Sequence, residues 1–158
     1  MRYSADDYVA IHSLMTGYCM AIDWGDLDRL LAMFHPQASL RLCFAVEETK
    51  QGEAAVREWF ANYLTATRAP RRYVRHKTFA PAIMLDDAGA RGSMYFDSES
   101  IPKGSNTVTT AVGRYDVRFE RDAGRWLFKE FVIVVYYSRS AEGFTPVCDP
   151  KPPIVVAP

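Results

Sequence analysis

Between residues 4 and 23, apolar side chains recur at Tyr8, Ile11, Met15, Tyr18 and Ile22, at spacings of three, four, three and four. That rhythm draws one stripe along a helix. Ser4 stands where a side chain caps the first amides, and Asp6 and Asp7 fall in the first turn, where the helix dipole favours negative charge. Gly25 ends the helix. Asp26 then caps a short second one carrying Leu27, Leu30, Leu31 and Phe34, which Pro36 stops. Residues 38–44 read as a short strand. Gly52 precedes a third helix over 53–67, with Ala55, Val56, Trp59, Phe60 and Tyr63 on its apolar face.

From residue 73 onward the pattern becomes strand-like. Residues 73–85 form a strand interrupted by Pro81, which marks a bulge or a sheet edge. A turn at 86–89 leads to a strand over 90–101, and a loop at 102–106 to another over 107–121. The alternation is cleanest there, with Tyr115, Val117 and Phe119 set against Arg114, Asp116, Arg118 and Glu120. Residues 126–137 are almost continuously apolar, which predicts a central strand. Three helices followed by a meander of long strands imply an α+β fold. A curved sheet closed by helices makes a cone-shaped α+β barrel with an apolar mouth, a shape suited to a small hydrophobic ligand. This domain is expected over 1–140, with a proline-rich tail at 141–158 lying over the body or a neighbouring subunit. Val132, Ile133, Val134 and Val135 are apolar on both faces of one strand, which predicts that a second copy covers the outer face in a dimer or trimer.

The chain has 158 residues, 49% of them apolar, and a formal net charge of zero. This is one domain's length with enough apolar content for a core, and the balance gives no reason to expect nucleic acid as partner. Arg68, Arg71, Arg72, Arg75 and Lys77 make a locally basic run, read as a solvated face. Cys19, Cys43 and Cys148 are odd in number and lack both disulfide and zinc spacing, so neither a disulfide framework nor a metal is expected. The first residues are polar and acidic, and no apolar run reaches membrane-spanning length. A soluble, cytoplasmic protein without membrane partner, metal or cofactor is the expectation.

Chemistry concentrates on Asp23, at the end of the first helix, and His76, at the head of a strand. A carboxylate that holds one imidazole nitrogen fixes the tautomer and stabilises the protonated ring, which makes the histidine a useful base near neutral pH. The competing readings are plain ones: Asp23 as the cap of the turn after it, His76 as a structural core histidine. Strand alternation turns His76 inward and Arg75 and Lys77 outward. Tyr18 is a third catalytic candidate, or simply a core aromatic. Tyr115 and Tyr95 are candidate donors to a ligand oxygen, and Trp24, Trp59, Tyr63 and Phe119 candidate lining. His35 reads as structural and His12 as exposed. Cys19, one turn before Asp23, has nothing basic to activate it and is rejected as a nucleophile.

Several strings, taken in order, resemble the SnoaL-like branch of the nuclear transport factor 2-like superfamily. They are the run from Ala21 through Asp23, Trp24 and Gly25 to Asp28, then Met33-Phe34-His35-Pro36, and Gly52 followed by Ala54-Ala55-Val56-Arg57-Glu58-Trp59. Val74-Arg75-His76, Gly113-Arg114-Tyr115-Asp116 and Gly124-Arg125-Trp126 complete the set, and the resemblance spans about residues 5–137. Within the superfamily the chain is most similar to dehydratase-type members, such as scytalone dehydratase and bile acid 7α-dehydratase. The resemblance implies that Asp23 and His76 stand at the catalytic pair of those members, with Tyr18 at a tyrosine five residues before the aspartate. It also brings departures. An arginine of the last strand falls on Val135, a second-strand histidine on Ser98 or Ser100, and a third-strand asparagine on Tyr115.

The function so implied is a cofactor-independent lyase, a dehydratase acting on a small hydrophobic polycyclic or aromatic compound, polyketide- or steroid-like. An isomerase or cyclase using the same dyad is an alternative. So is a protein that binds such a molecule without catalysis, in which Asp23 and His76 would be apart. A dimerisation module would instead have its cone filled with Phe and Trp side chains.

Overall fold

The computed structural model describes residues 4–86 and 89–143. Helix α1 (Ala5–Trp24) starts with a reciprocal cap: the Ser4 hydroxyl accepts from the Asp7 amide, and the Asp7 carboxylate accepts from the Ser4 amide at 2.8 Å. Two amides that a helix start leaves open are thereby satisfied. The buried stripe begins at Asp7 rather than Tyr8, which is 43% exposed, while Ile11, Met15, Tyr18 and Ile22 are buried. Asp7 takes the core-facing place because its oxygens are engaged there. One accepts from the Trp126 indole at 3.0 Å and also pairs with Arg121. A buried carboxylate is tolerated when it is bonded in this way.

Gly25, at a left-handed φ of 76°, ends α1, and Asp26 caps α2 (Leu27–Leu31) by accepting from the Arg29 amide at 3.0 Å. The second helix is shorter than its apolar spacing predicts. Phe34 instead opens β1 (Phe34–Cys43), which contains Pro36 where pairing slips between Phe34 and Ser39. Strand β2 (Glu47–Gln51) pairs antiparallel with β1. Its sequence is entirely polar, so no alternation betrays it. Helix α3 (Gly52–Tyr63) buries Val56 and Phe60, and its expected last turn is a π-helical turn, Leu64–Arg68.

Strands β3 (Arg71–Asp86), β4 (Gly89–Pro102), β5 (Val108–Asp122) and β6 (Arg125–Ala141) form an antiparallel meander, and β6 pairs in parallel with β1 on its other side. The order β2-β1-β6-β5-β4-β3 puts β6 inside the sheet, as its apolar run implies. Pro81 is both at an edge and at a bulge: β3 is the outermost strand, and its register shifts between Phe79 and Ala82, with Ala80 at φ 52°. The sheet curves without closing, giving the α+β architecture that the sequence implies. Its inner face, including Met94, Phe96, Tyr115, Phe128 and Phe131, packs on Ile11, Met15 and Tyr18 of α1 and on Phe60 of α3. On the outer side Tyr136 and Tyr137 are 49% and 53% exposed. Among the described residues no helix is long and apolar enough to cross a membrane. The expected lie of the proline-rich tail falls outside the described residues from 144 onward.

Candidate active site

Asp23 sits in the last turn of α1, and α1 packs on β3, which carries His76. The structure brings the two together. Asp23 Oδ1 lies 2.6 Å from His76 Nδ1, and the His76 backbone amide donates to Oδ2 at 2.9 Å and to Oδ1 at 3.1 Å. The two side chains are 7% and 8% exposed. An ionised carboxylate only accepts, so this network assigns the ring proton to Nδ1 and leaves the lone pair on Nε2. The Asp23 carbonyl is held in turn by Nε of Arg68, from the π-helical turn. Strand alternation holds around His76: Arg75 and Lys77 turn to the other side, where both pair with Glu99 at 2.7 and 3.0 Å.

His76 borders a cavity of about 210 Å³. Tyr18, Phe44, Trp59, Tyr63, Phe96 and Tyr115 supply its aromatic wall, and Thr67, Ser98, Ser100, Thr109, Arg71 and Glu99 its polar groups. Val135, Ser98, Ser100 and Tyr115, the positions at which the sequence departs from the dehydratase pattern, all line it. Phe96 stacks on Tyr115 at 4.4 Å and lies 6.4 Å from the His76 ring. Gly113 makes this possible, because a Cβ there would meet the Val134 carbonyl at 2.0 Å and the Phe96 ring at 2.7 Å.

Tyr18 is buried against Phe131, with ring centroids 4.7 Å apart, and against Tyr115 at 5.5 Å. Burial above all, then Tyr63, Cys19 and Asp23, holds its phenol well above the usual tyrosine range, with a hydrogen bond to Tyr115 pulling the other way. Burial likewise holds Tyr115 well above that range. Both phenols stay protonated at neutral pH. Each phenol thus keeps an O–H, and both residues border the cavity. Burial also pushes the Cys19 thiol up to about 12, opposed by a hydrogen bond with Thr78 and reinforced by Asp23, so it is no nucleophile.

Three expected lining residues lie elsewhere. Trp24 follows Asp23 directly on α1, so helical rotation carries it to another face, and it does not border the cavity. Tyr95 falls between the inward Met94 and Phe96; it is 47% exposed and lies 6.3 Å from Phe79. Phe119 does point inward but too deep, buried in the core 5.7 Å from Phe128. One basic residue moves the other way. Arg71, expected on a solvated face, borders the cavity, donating from Nε to Ser100 Oγ at 3.1 Å and from Nη1 to the Thr67 carbonyl. Pairing shifts between Arg71 and Tyr73, so alternation counted back from His76 puts Arg71 on the wrong side.

A larger groove of about 570 Å³ runs along the outer face of the sheet, lined by Met84, Ser93, Asp116 and Val132 among others. It holds none of the dyad. Among the described residues, no three His, Cys, Asp or Glu side chains group as metal ligands.

The fold is shared with solved structures. An aromatic ring hydroxylase candidate from Novosphingobium aromaticivorans matches with a TM-score of 0.73 at 22% identity, over 90% of this chain and 96% of that one. A scytalone dehydratase candidate from the same organism matches at 0.72 and 14%, over 92% and 93%. Hexachlorocyclohexane dehydrochlorinase LinA type 3 from Novosphingobium barchaimii matches at 0.73 and 16%, over 89% and 95%. Likeness at such identities carries the fold alone. No curated protein matches the chain. The SnoaL-like domain model matches residues 4–132, and the chain therefore belongs to the SnoaL-like family of the nuclear transport factor 2-like superfamily.

Proposed function

We propose that this protein is a cofactor-independent lyase of the dehydratase type, with His76 as the group that moves protons. The observation that carries this reading is the 2.6 Å contact of Asp23 with His76, which borders the cavity. Nε2 of neutral His76 takes a proton from a carbon next to a carbonyl or an activated ring. Asp23 stabilises the imidazolium so formed. The Tyr18 O–H, with that of Tyr115 beside it, donates to the substrate oxygen on which charge develops. The imidazolium then gives its proton to the departing hydroxyl. A C–H and a C–O bond break, a C=C bond forms, and water leaves. Each such proton transfer contributes about 10²–10⁴-fold, so positioning by the cavity supplies the rest.

The cavity of about 210 Å³ lies below the roughly 300–1,000 Å³ of sites for drug-sized ligands. This favours a one- or two-ring compound over a steroid skeleton. Isomerisation would use the same residues with the proton returned to another carbon, and ring closure with the carbanion attacking a carbonyl whose oxygen takes the proton. A ligand-binding protein would gain nothing from an aligned dyad, and a dimerisation module nothing from an open cavity. As part of the same reading, a second copy covers the outer face of β6, with light scattering as the check. Small β-hydroxy ketones bearing one or two aromatic rings test the chemistry: loss of water by mass spectrometry supports a dehydratase. Deuterium uptake at carbon without loss of water points to isomerisation, and neither result with any of them counts against catalysis.

A further inference from the structure

We propose that Arg71 selects the ligand of this cavity, and that the ligand carries a carboxylate at the end remote from its reacting carbon. This rests on the reading of the cavity as a substrate site. Arg71 opens β3 directly after the π-helical turn, a local irregularity that often accompanies functional sites. Its side chain is tied down on two sides, through Nε to Ser100 across the sheet and through Nη1 to Thr67 in the turn. Its own carbonyl accepts from Arg68 Nη1 at 3.2 Å. Among the described residues, Nη2 has no partner, and no carboxylate lies within ion-pair distance of the guanidinium. Glu99, on the neighbouring strand, also borders the cavity, but its carboxylate is taken by Arg75 and Lys77.

A half-buried guanidinium at the edge of a cavity that Val74, Val135 and Trp59 also line is costly without a counter-charge. Its field reaches that wall of the cavity: burial and then Asp23 raise the Tyr63 phenol, and Arg71 followed by Arg68 lowers it. The N–H groups left on Nη1 and Nη2 form the end-on fork that receives a planar carboxylate through two parallel bonds. His76 lies further along β3, roughly 16 Å away at the rise of an extended strand. The arginine side chain spans part of that distance and a one- or two-ring body the rest. The anion therefore sits at one end of the ligand and the carbon that loses its proton at the other.

The test compares 2-naphthoate with its neutral twin 2-naphthamide by calorimetry on the full chain. The native protein should bind naphthoate about 10- to 100-fold more tightly, the range for charge-assisted hydrogen bonds. Arg71→Gln should erase that preference while naphthamide affinity stays, and Arg71→Lys should restore it in part. Phenylglyoxal labelling of the native chain, read by peptide mass spectrometry, needs no variant: naphthoate should protect Arg71 and naphthamide should not. His76→Gln should keep the preference, so loss of turnover and loss of ligand choice separate the two readings. Equal affinities, no naphthoate binding at millimolar concentration, equal protection by both probes, or a preference that survives in Arg71→Gln would overturn the proposal.

Discussion

Asp23 grips His76 twice, through the ring nitrogen Nδ1 at 2.6 Å and through the backbone amide at 2.9 Å. The imidazole is thus fixed in position as well as in tautomer. Both bonds run from donors on His76 to one carboxylate, and that carboxylate is anchored to α1 while His76 belongs to the sheet. The contact ties helix to strand at the cavity wall.

Asp23→Asn should therefore keep the fold but lose about 10²–10⁴-fold in kcat. An amide puts an NH₂ donor in place of one accepting oxygen and carries no charge, so it holds the ring less firmly and no longer stabilises the imidazolium as a carboxylate does. The loss should not multiply with that of His76→Gln, because both substitutions disable one unit. Kinetics of the two single variants and the double variant check this, with circular dichroism as the control for folding.

Tyr18→Phe should cost less, on the order of tenfold in kcat, because Tyr115 retains a hydroxyl beside the same site. Tyr18→Phe combined with Tyr115→Phe should lose more than the product of the single losses, since only then is no O–H left. Rates of the three variants on one substrate decide the matter.

Much of this site was legible in the sequence, for local reasons. Asp23 is placed by a helix end that Gly25 fixes, and His76 by alternation between two charged neighbours. Tyr95 shows the limit: its strand alternates, but its sequence does not say which face is inward. Phe119 shows another, since inward is not the same as lining. Arg71 was hidden by a register shift that no periodicity reports. Phe34 fits a helical spacing and a strand start equally well, and the neighbouring strand pairing decided between them. Glu47–Gln51 is a strand only because β1 offers it an edge.

Asp7→Ala should lower stability by about 2–3 kcal/mol. The capping interaction contributes about 1 kcal/mol, and the hydrogen bond from the Trp126 indole to the buried carboxylate would be lost. Gly113→Ala should be at least as harmful, because a Cβ 2.0 Å from the Val134 carbonyl cannot be accommodated without moving the strand. Urea melts of both variants against the native protein measure the effect.

Stability should also fall at alkaline pH. The Cys19 thiol is pushed up to about 12 in the folded chain, and Tyr18 and Tyr115 are raised too. Above the ordinary thiol range the unfolded chain releases these protons while the folded chain keeps them, so unfolding is favoured as pH rises. The stabilisation is complete below about pH 8.5 and declines toward the folded value of Cys19. Urea midpoints between neutral pH and about pH 11 should show this decline, and Cys19→Ala should make it shallower.

The central claim is that His76 moves the proton, and His76→Gln tests it most directly. Glutamine fills much of the same space and bonds to Asp23, but it cannot take up and return a proton at neutral pH. On a substrate that the native protein turns over, His76→Gln should lose at least about 10²-fold in kcat while ligand affinity and melting temperature stay close to native. A variant that retains the full rate would contradict the account and leave this cavity as a binding site alone.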